Sequence, residues 1–431
     1  MTNPSIFALA SAPGRAGVAV VRASGPLAGD SVKALAGALP VPRQAVLRRL
    51  AYQGMEIDQA LLLWFPAPHS FTGEDVAEFH IHGGRAIREA LFSALSALGL
   101  RPAEPGEFSR RAVENGRLDL TRAEAVADLV DAETPAQLRQ ALRQHDGALA
   151  DLYEGWRAAL IAALGRAEAA IDFSDDGVGE EEFARAREAA GRISQEIHHH
   201  MDDAGRGESL REGLRLTILG PPNAGKSSLI NALAGRDMAI VSDRPGTTRD
   251  VVEARLDIGG YLLQVADTAG VRPTHEPIEA EGVRRALHHA AGGMTLLLLD
   301  GAAQNPRAGL PGDLPEPDLI VWNKADLGFV RDGLCISLKT GQGVSDLVKM
   351  LQQKVQHKLE GKDGAPPLTR PRHRHALREA LAHLQHGLSA SAPELLAEDL
   401  RLAMRAIGRL TGRVDVEELL DFVFRDFCIG K

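Results

Sequence analysis

Gly220, Gly225, Lys226 and Ser227 occur in the spacing G-x-x-x-x-G-K-S, inside the stretch LRLTILGPPNAGKSSLINALAG. Glycines at these positions let backbone N–H groups wrap a phosphate chain, and the helix that follows adds favourable partial charge at its N-terminus. Lys226 would reach the β- and γ-phosphates and Ser227 would bind Mg²⁺. Ala224 and Ser228 complete the cradle. A strand-like run, Leu214–Leu219, precedes the motif and helix-forming residues 227–234 follow it, the context that the pattern requires.

Three further signals point to guanine nucleotides. Asp267-Thr268-Ala269-Gly270 follows the strand-like run Tyr261–Ala266. There Asp267 can hold Mg²⁺ through water, and the Gly270 N–H can sense the γ-phosphate. Asn323-Lys324-Ala325-Asp326 follows residues 319–322. The Asp326 carboxylate can accept two hydrogen bonds from guanine N1–H and the 2-amino group, a donor pair that adenine lacks. Ser337-Leu338-Lys339 follows another short strand and suits a backbone clamp on guanine O6. Between the first two motifs lies Gly246-Thr247-Thr248-Arg249-Asp250, where Thr248 can complete the Mg²⁺ shell.

Hydrolysis needs a positioned water and an offset for developing negative charge. Ras-like GTPases carry a glutamine directly after D-x-x-G; here the position holds Val271. No arginine finger is evident. Asn223, inside the phosphate loop, offers a side-chain oxygen beside the phosphates, where a monovalent cation could stand in for a guanidinium. Glu276, Glu279 and Glu281 lie downstream as carboxylates for the water, and periodicity does not choose among them.

These motifs need a strand–helix alternating frame, and the chain has one at residues 211–370. The 431-residue chain has room for about two to four domains. Residues 1–117 alternate strand candidates (18–22, 61–65 and Val76–Ile81) with helix candidates (31–38 and 85–98), which reads as a compact α+β domain. Residues 118–210 and 371–431 share a helical texture rich in Ala, Leu, Arg and Glu. The expected architecture is therefore multi-domain. A helical domain is split by an inserted Ras-like α/β P-loop domain, its two halves pack together, and residues 361–372 form the linker out of the insert. No apolar run approaches the ~18–20 residues of a membrane span. Two distant cysteines, Cys335 and Cys428, argue against a disulfide framework and for a reducing, cytoplasmic setting. A net charge of −9 argues against a bulk electrostatic grip on nucleic acid.

Asn223, GTTRD, DTAG followed by an apolar residue, and the terminal Phe427-Cys428-Ile429-Gly430-Lys431 together resemble the family of tRNA modification GTPases called MnmE or TrmE. So do the stretches APGRAGVAVVRASG, SFTGEDVAEFHIHGG and RPAEPGEFSRRAVENGRLDLTRAEAVADL. The likeness spans essentially the whole chain. It implies a tetrahydrofolate-binding-like N-terminal domain through which the protein is a homodimer, and G domains that dimerise with potassium to stimulate hydrolysis. With an FAD-dependent partner, MnmG (GidA), in a heterotetramer, the family modifies the wobble uridine of certain tRNAs at carbon 5. The one-carbon unit comes from 5-formyltetrahydrofolate or a related folate. Carried over, Asn223, Ser242, Arg244 (by backbone) and Thr247 would surround potassium, and Ser227 and Thr248 would bind Mg²⁺. Glu279 falls on the water-orienting glutamate. Arg22, Glu78, Arg117 and Lys431 match folate-site positions, with Arg117 standing where the family member compared has lysine. Cys428 matches the tail cysteine needed for modification.

Some signals carry less. His80 and His82 share a strand face but have no further ligands nearby, and read as polar strand residues. His198-His199-His200 reads as a solvated helix face, and Cys335 as a core residue in an apolar strand. Two other functions compete: a GTPase switch in ribosome assembly without modification chemistry, and an oligomerising scaffold. The FCIGK tail, with its near-terminal cysteine, favours modification over both.

Overall fold

The computed structural model describes residues 3–173, 178–240, 252–266, 293–308, 310, 314–360, 365–414, 420, 421, 423–425 and 427–430. The chain divides into two compact units: Met1–Ala127 with His145–Arg157 and Arg405–Lys431, and Asp128–Gln144 with Ala158–Met404.

The first unit is built on a six-stranded sheet. Its strands are β1 (Ile6–Leu9), β2 (Ala19–Ser24), β3 (Val46–Tyr52), β4 (Met55–Phe65), β5 (Val76–Ile81) and β6 (Arg101–Pro102), in the order β3-β4-β5-β2-β1-β6. Alternate residues face opposite sides of a strand, and here the two sides differ. Ala19, Val21 and Ala23 of β2 join Ala77, Phe79 and Ile81 of β5 in one core, which includes residues of α1 (Ala28–Ala36) and α2 (Arg85–Ala97). The intervening Arg22 and Glu78 lie on the other side. The antiparallel register sets them directly opposite one another. The sequence-expected strands and helices of this domain are present. Strands β1, β3 and β6 and the helix α3 (Glu107–Glu114) are additions.

The helices α4 (Leu120–Asp131), α5 (Pro135–His145), α6 (Ala148–Asp172), α7 (Val178–Met201) and α8 (Arg206–Glu212) follow. Pro135 opens α5, where its missing N–H costs nothing. In the second unit a second six-stranded sheet has the order β12-β11-β10-β7-β9-β8. These strands are β7 (Leu214–Leu219), β8 (Val252–Ile258), β9 (Tyr261–Ala266), β10 (Met294–Asp300), β11 (Leu319–Asn323) and β12 (Leu334–Cys335), with α9 (Lys226–Leu233) after β7. Only the β8–β9 pairing is antiparallel. The central strand β10 holds Leu296, Leu297, Leu298 and Leu299 in succession, all buried, as a strand covered on both faces must be. The C-terminal ends of β7, β10, β11 and β12 therefore share one edge, where ligands of such sheets bind.

The insert is clasped where it leaves the helices. Asp128 accepts from Arg211 Nε at 3.0 Å, just before β7, and from Arg370 Nη2 at 2.7 Å, just after the insert. Gln140 Nε2 donates to the Gly207 carbonyl at 3.0 Å. Residues 361–372 are thus not a loose linker along their whole length. Leu368 and Thr369 are buried, and Pro371 begins the helix Pro371–Leu388, which packs on α7. A last long helix, Pro393–Thr411, follows. Among the described residues no helix is long and apolar enough to cross a membrane.

Two sequence expectations are corrected. His198 and His199 are exposed, but His200 is buried. It continues the inward stripe of Ile193 and Ile197 at helical spacing, which the run of three histidines conceals. Cys335 is only half-buried: it ends a two-residue edge strand, and the core position belongs to Ile336. Burial pushes the His200 imidazole down to about 4, with Asp203 opposing and Arg374 and His199 adding to the shift. A histidine kept neutral by the fold is protonated first in the unfolded chain. Stability is therefore full above about pH 6.5 and falls as pH drops towards 4, by on the order of 3 kcal/mol for a shift of this size. Urea unfolding at pH 7 and pH 5 should show a loss that His200→Gln reduces. An identical loss in the variant would assign the dependence to other groups.

Candidate functional site

The phosphate loop is closed on itself and tied to the base-reading loops. Lys226 Nζ donates to the carbonyls of Gly220 at 2.8 Å and Pro221 at 3.1 Å, so the ammonium is held over the cradle. Ser227 and Ser228 are exposed at the start of α9, and Ala224 is buried beneath. Asn223 is exposed in the loop with a φ of +61°, a left-handed conformation that asparagine tolerates better than most residues.

Asn323 joins the two halves of the site. It ends β11, is 4% exposed, and donates Nδ2 to the Ala224 carbonyl at 2.8 Å. Its Oδ1 accepts from the Leu338 N–H at 3.2 Å. A Cβ at Gly225 would lie 2.5 Å from Asn323 Nδ2, so only glycine permits this approach. One buried amide thus sets the distance between the phosphate cradle and the segment Ser337-Leu338-Lys339.

Asp326 is exposed beside it, and one carboxylate oxygen accepts from Ser337 Oγ at 2.7 Å. That hydrogen bond, against slight desolvation and with help from Lys339 and Lys324, holds the carboxyl below its ordinary range. A charged acceptor at this place can read the paired donors of guanine. Lys324, at φ +70°, is aimed by an ion pair of 2.6 Å to Asp300 at the end of β10. Sequence reasoning missed Asp300. Its signal was its place, since it closes an apolar run at the same sheet edge as the motifs.

The described residues Asn223, Ala224, Gly225, Lys226, Ser227, Ser228, Asn323, Lys324, Asp326, Ser337 and Lys339 are all contributed by loops and helix starts at that edge. Ser242, Arg244, Thr247, Thr248, Asp267, Gly270 and Glu279 lie outside the described residues.

A second site is built on the N-terminal sheet. Arg22 donates through Nε and Nη2 to Glu78 Oε1 at 3.1 and 3.0 Å. His80 Nε2 is 3.3 Å from the other carboxylate oxygen. The Arg22 guanidinium lies 5.5 Å from the centroid of Phe71 and 5.8 Å from that of Phe108. Arg22, Glu78 and Arg117 line one cavity of about 290 Å³, together with Arg43, Phe65, His69 and Phe71. The structure brings three of the four sequence-derived folate positions together; Lys431 lies outside the described residues. Arg43, His69 and Phe65 were not legible as site residues, because they reach the cavity from two loops and a strand end without any motif, and Phe71 lies in the stretch SFTGEDVAEFHIHGG without standing out. His82 turns away to Asp58, at 2.8 Å. Among the described residues no cluster of three or more His, Cys, Asp or Glu is placed to hold a metal.

The chain end docks in the same unit. Ile429 forms an antiparallel bridge with Pro105, and the Cys428 carbonyl accepts from the Gly106 N–H at 3.3 Å. Phe424 is buried and meets Phe427 edge-on at 4.9 Å. Leu420 and Phe424 share a core cluster with Leu120 and Ala123. Cys428 itself is exposed.

Two family descriptions match the chain: "GTP-binding protein TrmE N-terminus" over residues 5–117 and "MnmE helical domain" over residues 120–428. Curated relatives named tRNA modification GTPase MnmE align end to end. Those of Rhodospirillum rubrum and Paramagnetospirillum magneticum are each 53% identical over 100% of both chains. That of Parvibaculum lavamentivorans is 52% identical over 99% of this chain and 100% of its own. Among solved structures, the cytosolic domain of the T. maritima FeoB iron transporter covers 49% of this chain and 98% of its own, at 17% identity and a TM-score of 0.23.

Proposed function

The chain belongs to the tRNA modification GTPase MnmE family, and we propose that it is a potassium-dependent GTP hydrolase working in the cytoplasm on the wobble uridine of certain tRNAs. In this reading it acts as a homodimer with an FAD-dependent MnmG partner in a heterotetramer. Together they install a carboxymethylaminomethyl-type group at carbon 5, with a carbon unit from 5-formyltetrahydrofolate or a related folate. The observation that carries the reading is the coexistence, in one chain, of a phosphate-loop site suited to guanine nucleotides, a separate arginine-lined cavity, and a docked cysteine-bearing tail in the same unit as that cavity. A pure switch needs only the first. The test is a nucleoside digest of bulk tRNA from cells lacking this protein, read by mass spectrometry. The modified wobble uridine should disappear, and its normal level would overturn the reading.

The residues divide the work. The backbone of residues 220–226 and the Lys226 ammonium bind and orient the phosphates. Asp326, held by Ser337, selects the base. The exposed Ser227 hydroxyl at the start of α9 fits a Mg²⁺ ligand, with Thr248 as the second protein hydroxyl and Asp267 acting through water. Potassium, when bound, supplies positive charge beside the phosphates, and Asn223, with its side chain free of the core, fits one of its ligands; Ser242, Arg244 and Thr247 are the others proposed. Glu279 orients the attacking water. In the N-terminal cavity Arg22, Glu78 and Arg117, with Lys431, hold the folate.

Potassium should therefore accelerate GTP hydrolysis well beyond sodium. Steady-state rates in matched KCl and NaCl measure this, and equal rates would remove the cation site. In the same assay Glu279→Ala should lower kcat with GTP affinity unchanged, the pattern of a group acting only in the transition state. A larger loss from Glu276→Ala or Glu281→Ala would move the assignment to that residue.

A further inference from the structure

We propose that the N-terminal cavity selects its ligand by the ligand's carboxylate tail, through Arg43 and Arg117 at the rim, and so favours polyglutamylated over unglutamylated reduced folate. This rests on the folate reading above and adds residues and a selectivity to it.

The charge of the cavity points to an anion. Its one lining carboxylate, Glu78, is engaged by Arg22 through two hydrogen bonds and by His80 at 3.3 Å. Arg22 and Glu78 thus neutralise one another. The remaining lining arginines, Arg43 and Arg117, are exposed and have no carboxylate within ion-pair distance among the described residues. Several other arginines of the same unit are paired, Arg49 with Glu56, Arg85 with Glu89, Arg101 with Glu107 and Arg111 with Glu74, and none of these lines the cavity. Two uncompensated arginines on one small cavity, in a chain of net charge −9, mark an anion-seeking spot.

Arg43 is held there by more than chance. Its φ is +63°, a left-handed conformation that residues with side chains rarely adopt and that collects at ligand sites. Its N–H donates to the Trp64 carbonyl at 2.9 Å. Its guanidinium stacks 5.7 Å from the Phe65 centroid and donates through Nη2 to the His69 carbonyl. The rest of its donor fork is left for a carboxylate, the geometry that arginine matches best. The stem of Arg117 is similarly fixed against Gly73, where an added Cβ would lie 3.1 Å from Arg117 Cγ.

Size decides which part of the ligand meets these two residues. The cavity of about 290 Å³ is at the small end of ligand pockets. The Phe65 and Phe71 rings suit a bicyclic ring with one flat half inside it. The p-aminobenzoyl group and the glutamate chain that follow that ring must leave across the rim, past Arg43 and Arg117. Each added glutamate contributes a further carboxylate where they stand.

The test is calorimetric binding to the full chain of three probes: 5-formyltetrahydropteroate, which lacks glutamate and ends in a single short benzoate carboxylate, 5-formyltetrahydrofolate with one glutamate and two carboxylates, and its triglutamate with four. The native protein should bind the triglutamate at least about tenfold tighter than the pteroate, the factor of one charge-assisted contact. Arg43→Gly accepts the left-handed backbone without strain. It should collapse that ratio towards one and leave pteroate affinity and the melting temperature unchanged. Arg43→Lys should keep part of the ratio, since the charge survives and the fork does not. Equal affinity of the native protein for all three probes would overturn the proposal while leaving the folate reading intact. A proportional loss of all three in Arg43→Gly would overturn it too, by placing Arg43 at the ring. Failure of the native protein to bind any probe would instead overturn the folate reading itself.

Discussion

Asp326→Asn should weaken GTP binding by roughly a hundredfold, the scale of two charge-assisted hydrogen bonds, and should confer binding of xanthosine triphosphate. The carboxylate offers two acceptors, one already taken by Ser337 Oγ at 2.7 Å and both with lone pairs to spare for guanine N1–H and the 2-amino group. An asparagine in the same place keeps an oxygen for Ser337 and turns an amide N–H towards the base. Xanthine carries an acceptor where guanine carries the amino donor, so the mismatch becomes a match. The scaffold does not change: Asn323 still ties Ala224 to Leu338, and Lys324 still rests on Asp300. The loss should therefore appear in base selection, with diphosphate and triphosphate forms affected alike. Because the Ser337 hydrogen bond holds the Asp326 carboxyl below its ordinary range, acid should weaken GTP binding at a lower pH than it would with an unassisted carboxylate. Ser337→Ala should bring the loss to a higher pH. Fluorescence titration with a labelled GTP analogue measures both. Unchanged GTP affinity in Asp326→Asn would remove Asp326 from the base site.

The nucleotide site was legible because its chemistry is written in short, contiguous spacings. Each motif directly follows an apolar run, and parallel pairing carries the ends of those runs to one edge. What the sequence hid is what depends on register and on distant partners. Asp300 is an ordinary aspartate until β10 lies beside β11 and brings it to Lys324. The Arg22–Glu78 pair spans 56 positions and exists because β2 and β5 are in antiparallel register. β3 escaped notice because an edge strand with Arg48 and Arg49 facing water lacks the apolar alternation of a half-buried strand. β1 is four residues long, too short for periodicity to speak. Asp128 was invisible as the residue that clasps both necks of the insert, since its partners, Arg211 and Arg370, are separated by the whole insert.

The tail should separate GTP hydrolysis from tRNA modification completely. Residues 427–430 are seated on the protein, where chain ends usually fray. Ile429 pairs with Pro105, the Cys428 carbonyl is held by the Gly106 N–H, and Phe424 and Phe427 close over Gly106. Gly430 has a φ of +101°, and a Cβ there would lie 2.2 Å from the Leu9 carbonyl oxygen. Leu9 is next to Ala8, which the β1–β2 register sets opposite Arg22. So the tail seats against β1, the neighbour of the strand that carries the cavity arginine, with Cys428 exposed two residues before the glycine that seats it. Gly430→Ala cannot keep this seat, both because the backbone is left-handed and because the space is filled. It should lift the tail while leaving the G-domain site untouched. Cys428→Ser keeps the seat and removes only the thiol. Both variants, and a chain with a few residues appended after Lys431, should hydrolyse GTP at nearly the native rate. Cells carrying any of them should lose the modified wobble nucleoside. The measurements are paired: GTPase rate on the purified variant, and mass spectrometry of tRNA nucleosides. Normal modification in Cys428→Ser together with loss in Gly430→Ala would make the tail a structural plug and the thiol a bystander. Normal modification in all three would place the tail outside the reaction.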